Sequence, residues 1–172
     1  MAVRTILHYP DKRLRQPAEP VTDFGPEFQK LIDDMAETMY AAPGVGLAAP
    51  QIGVPLRIFV VDTATDEDEP SDFRVFANPE IVKMQGTTIF TEGCLSFPGA
   101  REDIERGEVV TARAQDRHGE WFEITAEGLL AIAIQHEKDH LDGKLMIDRL
   151  GLLRKRVLHR QMLKRAGSEA SV

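Results

Sequence analysis

His136, Glu137 and His140 form the pattern H-E-x-x-H, the residues of this chain whose types and spacing best suit chemistry. On a helix, positions i and i+4 share one face, so the two imidazoles can close on a single divalent ion while the carboxylate beside them reaches a water on it. Two histidines leave such an ion under-coordinated. Catalytic sites of this kind take three protein ligands and keep a place for water. Asp142 follows His140 on the wrong face, and His159 lies in a separate basic stretch. Cys94 is the strongest remaining candidate, because it follows a strand-like segment, precedes Pro98, and carries a thiol that ligates zinc or iron(II) well as thiolate. The bland alternatives are two satisfied core histidines on an amphipathic helix and a lone cysteine serving as a small buried hydrophobe.

The elements that must position these residues are readable in outline. The run from Leu129 to Ile134 is apolar, lacks Pro and Gly, and predicts a helix from about Ala126 to Leu141, stopped at Asp142-Gly143. A second helix is expected to start at Gly25-Pro26, with Phe28, Leu31, Ile32, Met35 and Met39 on its buried face and Pro43-Gly44 as its stop. A third is expected from Leu150 to Ala166, with Leu153, Val157 and Leu163 available to pack on the body and the tail frayed from Gly167. Residues 1–21, with Pro10, Pro17 and Pro20, read as an extended arm with one helical turn near Asp11–Leu14. Strands are expected at Leu56–Asp62, Phe73–Phe76, Glu80–Lys83 and Thr87–Glu92, and a hairpin at Glu108–Ala114 and Glu120–Ile124 turns at Asp116–Gly119, where His118 is a turn residue. Gly44–Gln51 reads as a tight turn into a strand; it is neither a dinucleotide loop nor a P-loop, since no strand precedes it and no Lys follows. The order of elements predicts an α+β fold: antiparallel sheets packed around the H-E-x-x-H helix, with an N-terminal and a C-terminal helix.

A chain of 172 residues with 42% hydrophobic and 28% charged content suits one globular domain. The expected division is a catalytic core over 1–148, a basic helix over 149–166 and a tail over 167–172. One cysteine excludes an intrachain disulfide and fits a reducing compartment. The N-terminal apolar stretch is too short for a signal peptide and no run approaches a membrane span, so a cytoplasmic location is expected. The net charge is −7, yet Arg149–Arg165 holds seven Lys/Arg and no acid; removing those seven charges leaves −14 on the remainder. A basic helix on an acidic body predicts attraction to a polyanion.

Three segments together resemble the peptide deformylases: Gly44–Gln51 is similar to GxGxAAxQ, Glu92–Ser96 to EGCLS, and Gln135–Leu141 to QHExDHL. The resemblance runs from about Thr5 to beyond Asp148. It implies removal of the formyl group from formyl-Met at the start of new polypeptides, with release of formate. It implies that Cys94, His136 and His140 bind the metal, usually iron(II), with zinc, nickel or cobalt able to occupy the site. Glu137 would be general base and then acid, and Gln51 and the Leu95 N–H would stabilise the oxyanion. Substrate would meet Val45, Gly46, Phe90, Glu92, Gly93, Arg101, Leu129, Ile132 and Ala133, and Phe90 stands where relatives often carry a smaller aliphatic residue. Asp139 reads either as an orienter of a ligand or as an exposed helix residue. The implied partners are formyl-Met nascent chains and, through the basic helix, the ribosome; neither DNA nor membrane is expected, and the chain is expected to act as a monomer. The competing readings are an H-E-x-x-H endoprotease and a closed structural Cys-His-His site, and the latter lacks a fourth ligand.

Overall fold

The computed structural model describes residues 2–64 and 66–170. Helix α1 spans Pro26–Ala41, and its buried face includes Phe28, Leu31, Ile32, Met35 and Met39. Seven strands follow: β1 (Gly46–Ala48), β2 (Ile58–Val61), β3 (Arg74–Gln85), β4 (Thr88–Cys94), β5 (Phe97–Arg106), β6 (Val109–Gln115) and β7 (Trp121–Glu127). Helix α2 covers Gly128–Leu141 and α3 covers Leu152–Ala170. Strands β1-β2-β3-β6-β7 form one antiparallel sheet, and β4-β5 a separate two-stranded one. The expected α+β class with antiparallel sheets holds.

Strand β2 shows why the large sheet is covered on both sides. All four of its residues are buried. Ile58 and Val60 join α1 residues in one apolar cluster, whereas Phe59 and Val61 join α2 residues Ala131, Ile134 and Leu141 in another. The period of two in a strand sends alternate side chains to opposite layers. Burial of each such side chain is worth roughly 1.5–3 kcal/mol. Helix α2 is buried on nearly every side from Ala131 to Leu141, with only Lys138 partly outside. A third cluster joins the arm (Leu7, Leu14), β5 (Phe97, Ala100, Ile104) and α3 (Leu158, Met162).

Five points differ from expectation. The two short strands around Asn78-Pro79 are one strand, β3, carrying register irregularities. Asn78 adopts φ 49°, which its short amide tolerates, and its side chain exchanges hydrogen bonds with the Val21 backbone, 2.8 Å from N–H and 2.9 Å to C=O. Strand β5 was not expected at all. Its inward positions include Glu102 and Arg106 as well as Ala100 and Ile104, so it lacks the apolar alternation of an ordinary half-buried strand. Helix α2 starts at Gly128 instead of Ala126, because Ala126 and Glu127 remain paired with Val110 and Val109 in the ladder. In α3 the packing stripe is Arg154, Leu158 and Met162, with Arg154 paired to Glu102, whereas Leu153, Val157 and Leu163 are 76%, 49% and 46% exposed. The same helix continues through Gly167 to Ala170, and residues 171–172 lie outside the described ones.

Candidate active site

Helix α2 delivers His136 and His140 to one face, with ring centroids 5.1 Å apart. The β4–β5 hairpin brings Cys94 to meet them. One ligand atom from each of the three residues lies within 4.8 Å of the others, and Cys94 Sγ is 3.5 Å from His140 Nε2. Among the described residues no other group of three or more His, Cys, Asp or Glu is arranged to hold an ion. The donor set fits a divalent metal: a sulfur and two imidazoles converge at a cleft, with no fourth protein ligand closing it among the described residues.

A buried chain of charges fixes the first imidazole. Glu92 Oε1 stands 2.8 Å from His136 Nδ1, which leaves Nε2 for the ion. Arg106 donates from Nε and Nη2 to Glu92 at 2.8 and 2.9 Å and from Nη1 to Asp139 at 2.7 Å. Asp139 is gripped from its other side by Arg149 at 2.7 and 3.0 Å. Burial would raise the Glu92 carboxyl, but Arg106 and His136 outweigh it and hold it below the ordinary range. Burial would lower His136, yet the Cys94 sulfur and the Glu92 and Glu137 carboxylates carry it well above its usual value. Burial, reinforced by His136 and Arg106, pushes His140 well below its usual value, as suits a neutral ligand.

Glu137 adjoins both the centre and the cleft. Its Oε1 is 4.0 Å from His136 Nε2, and its buried Oε2 has no hydrogen-bond partner among the described residues. Burial is the main reason its carboxyl rises to about 7, where a group can take and return a proton near neutrality. Gly46 makes room for it: a Cβ there would lie 2.8 Å from Glu137 Oε1. Gln51, in the 3-10 turn Ala49–Ile52, accepts from the Ala48 N–H at 2.9 Å and turns Nε2 towards Cys94 Sγ at 3.8 Å and Ser96 Oγ at 3.0 Å. A cleft of about 700 Å³ opens over this centre. Val45, Gly46, Phe90, Gly93, Leu95 and Arg101 line it, as do Leu129, Ile132 and Ala133 on α2.

Glu92 also borders the cleft, and its carboxylate is paired with Arg106 and His136. Asp139 is 8% exposed and belongs to the same chain of charges, which rules out the exposed reading. Arg106 and Ser96 were missed. Arg106 is visible only once β5 is recognised as a strand with inward charges, and Ser96 is the small polar residue two positions after Cys94.

Residues 3–156 match the family model for polypeptide deformylase. The chain belongs to the polypeptide deformylase family. A peptide deformylase of Acidobacterium capsulatum is 50% identical over 169 residues, 97% of this chain and 99% of that one. One from Chromobacterium violaceum is 48% identical over 165 residues, 96% of this chain and 97% of the relative. The crystal structure of a Legionella pneumophila peptide deformylase, 51% identical, superposes with TM-score 0.90 over 99% of this chain and 98% of its own. A Synechococcus elongatus peptide deformylase in complex with actinonin, 39% identical, gives 0.85 over 95% and 88%. Peptide deformylases are metal-dependent hydrolases that remove the N-terminal formyl group from nascent polypeptides, and this chain is such an enzyme. The endoprotease and structural-metal readings fall away.

Proposed function

We propose that Cys94, His136 and His140 hold the metal, that Glu137 carries the proton, and that the Gln51 amide and the Leu95 N–H meet the oxyanion. The observation that carries this is the convergence of three donor atoms within 4.8 Å beside a buried Glu137 oxygen that has no partner. Held by Cys94, His136 and His140, a divalent ion would supply Lewis-acid chemistry and lower the pKa of a water. Glu137 takes the proton of the attacking water and later gives it to the departing amine, so that formate and a free N-terminus leave. Gln51 Nε2 and the Leu95 N–H are donors placed before charge develops on the formyl oxygen.

Strand β1 is the edge of the large sheet. The Val45 C=O points to β2, where it accepts from the Asp62 N–H at 2.8 Å, so strand alternation turns the N–H and C=O of Gly46 outward to the cleft. Substrate backbone can add there as a further strand, a mode that binds without reading sequence. Phe90, Leu129, Ile132 and Ala133 take the methionine side chain, and Arg101, opposite Gly93 in the hairpin ladder, borders the path of the following residues. Iron(II) is the proposed working metal, with zinc, nickel and cobalt suited to the same donors.

The enzyme is proposed to work in the cytoplasm as a monomer, with α3 turned to ribosomal RNA. No helix among the described residues is long and apolar enough to cross a membrane. Anaerobically purified protein should release formate from a formyl-Met peptide with one metal per chain, and Cys94→Ala should lose most of the metal. Full occupancy and normal turnover in Cys94→Ala would remove the thiolate from the site.

A further inference from the structure

We propose that Ser96 is a positioning residue for the hydrolysis: it holds the Gln51 amide in its working orientation, and the N-terminal arm braces it. This rests on the oxyanion role given to Gln51 above. The Gln51 amide is fixed at both ends. Its Oε1 accepts from the Ala48 N–H at 2.9 Å, which settles which end is nitrogen. Nε2 carries two hydrogens. One goes to Ser96 Oγ at 3.0 Å, and the other is turned towards the metal centre, where Cys94 Sγ lies 3.8 Å away. Without the Ser96 hydroxyl the amide keeps its oxygen contact and only the long approach of Nε2 to Cys94 Sγ, so the nitrogen that must meet the oxyanion is less constrained.

Ser96 is itself immobilised. It is fully buried, and with Leu95 it forms the two-residue turn between β4 and β5. One short turn therefore carries the Leu95 N–H and the hydroxyl that aims the Gln51 amide, which ties the two oxyanion donors together. The arm clasps both partners by alternate residues: the Leu7 N–H donates to the Gln51 C=O at 2.7 Å, and the Tyr9 N–H to the Ser96 C=O at 2.9 Å. Tyr9 is stacked on Phe97, next to Ser96, with ring centroids 5.0 Å apart. A single stretch of chain thus sets the separation between the Gln51 turn and the hairpin turn. Donors act at full strength only where they already point at the developing charge.

The test is a double-mutant cycle on the metal-replete, full-length enzyme with a formyl-Met peptide, with metal content and thermal melting measured for each variant. Gln51→Ala should lower kcat by about 100- to 1,000-fold. Ser96→Ala should lower kcat by about tenfold with KM and metal content unchanged, and on the Gln51→Ala background its effect should shrink below about twofold. An equal loss on both backgrounds, a change confined to KM, or no change in kcat overturns the positioning role. A Gln51→Ala enzyme with normal kcat overturns the oxyanion reading and this inference with it. Ser96→Cys keeps the volume and weakens the acceptor, so it should give an intermediate kcat and closes the same cycle if Ser96→Ala fails to fold.

Discussion

Gly46 and Glu137 show how little space separates the sheet edge from the reacting group. Because a Cβ at Gly46 would come within 2.8 Å of Glu137 Oε1, Gly46→Ala must push the carboxylate or the strand aside. The proposed ligands are other residues, so metal content should persist while kcat falls, by roughly 100-fold for a displacement near 1 Å. Metal loss in parallel with kcat would show instead that β1 supports the ligands. The H-E-x-x-H spacing and the lone Cys94 made the proposed ligand set visible in the sequence, because helix period and donor chemistry are local properties. The Glu92–Arg106–Asp139–Arg149 chain was not visible in that way. Its members are ordinary charged residues, and only tertiary folding buries Glu92, Arg106 and Asp139 as a series beside the His136 ring, with Arg149 joining it from the surface.

The arm and α3 are the elements whose behaviour the sequence described least well. The arm is pinned to α1 by Asp34, which accepts from the Ala2 N–H, from Arg4 and from Lys30. The Arg4 hydrogen bond is the largest of the effects that set the Asp34 carboxyl, which lies at about 2 against an ordinary 3.8. A depressed folded-state value stabilises the protein above the unfolded value and loses that contribution as pH falls. The gap in melting temperature between wild type and Asp34→Asn should therefore be full at neutral pH and close between about 4 and 2. A gap independent of pH would mean that Asp34 acts by packing alone. For α3, periodicity foretold a helix but not its face: two apolar stripes compete, and the Arg154–Glu102 pair selects the one with Leu158 and Met162. Arg156, Arg160 and Lys164 stand exposed at i, i+4 and i+8, beside the exposed Leu153 and Val157. Charge reversal at those three positions should abolish co-sedimentation with ribosomes at low salt while hydrolysis of a short formyl-Met peptide stays near normal. Undiminished co-sedimentation would locate docking elsewhere.

At the scale of the molecule, the fold class followed from the order of helical and strand-like stretches, and the family from three motifs. The split into a five-stranded and a two-stranded sheet did not, because it depends on β5, whose inward charges hide it. That split has a consequence for how the protein responds to losing its ion. The two imidazoles arrive together on α2, packed against the large sheet, whereas the sulfur arrives on the small sheet. With the proposed ligand set, ion binding would act as a clasp between two parts of the chain, its free energy drawn on chiefly by the β4–β5 hairpin. Chelation should speed amide hydrogen exchange in Thr88–Arg106 and leave β2, β3 and β6 nearly as protected as before. Uniform deprotection of both sheets would show a single cooperative unit. If the hairpin alone loosens, the enzyme deprived of metal exists as a rigid half bearing the histidines and a breathing half bearing the cysteine, and re-metallation is itself the last step of folding.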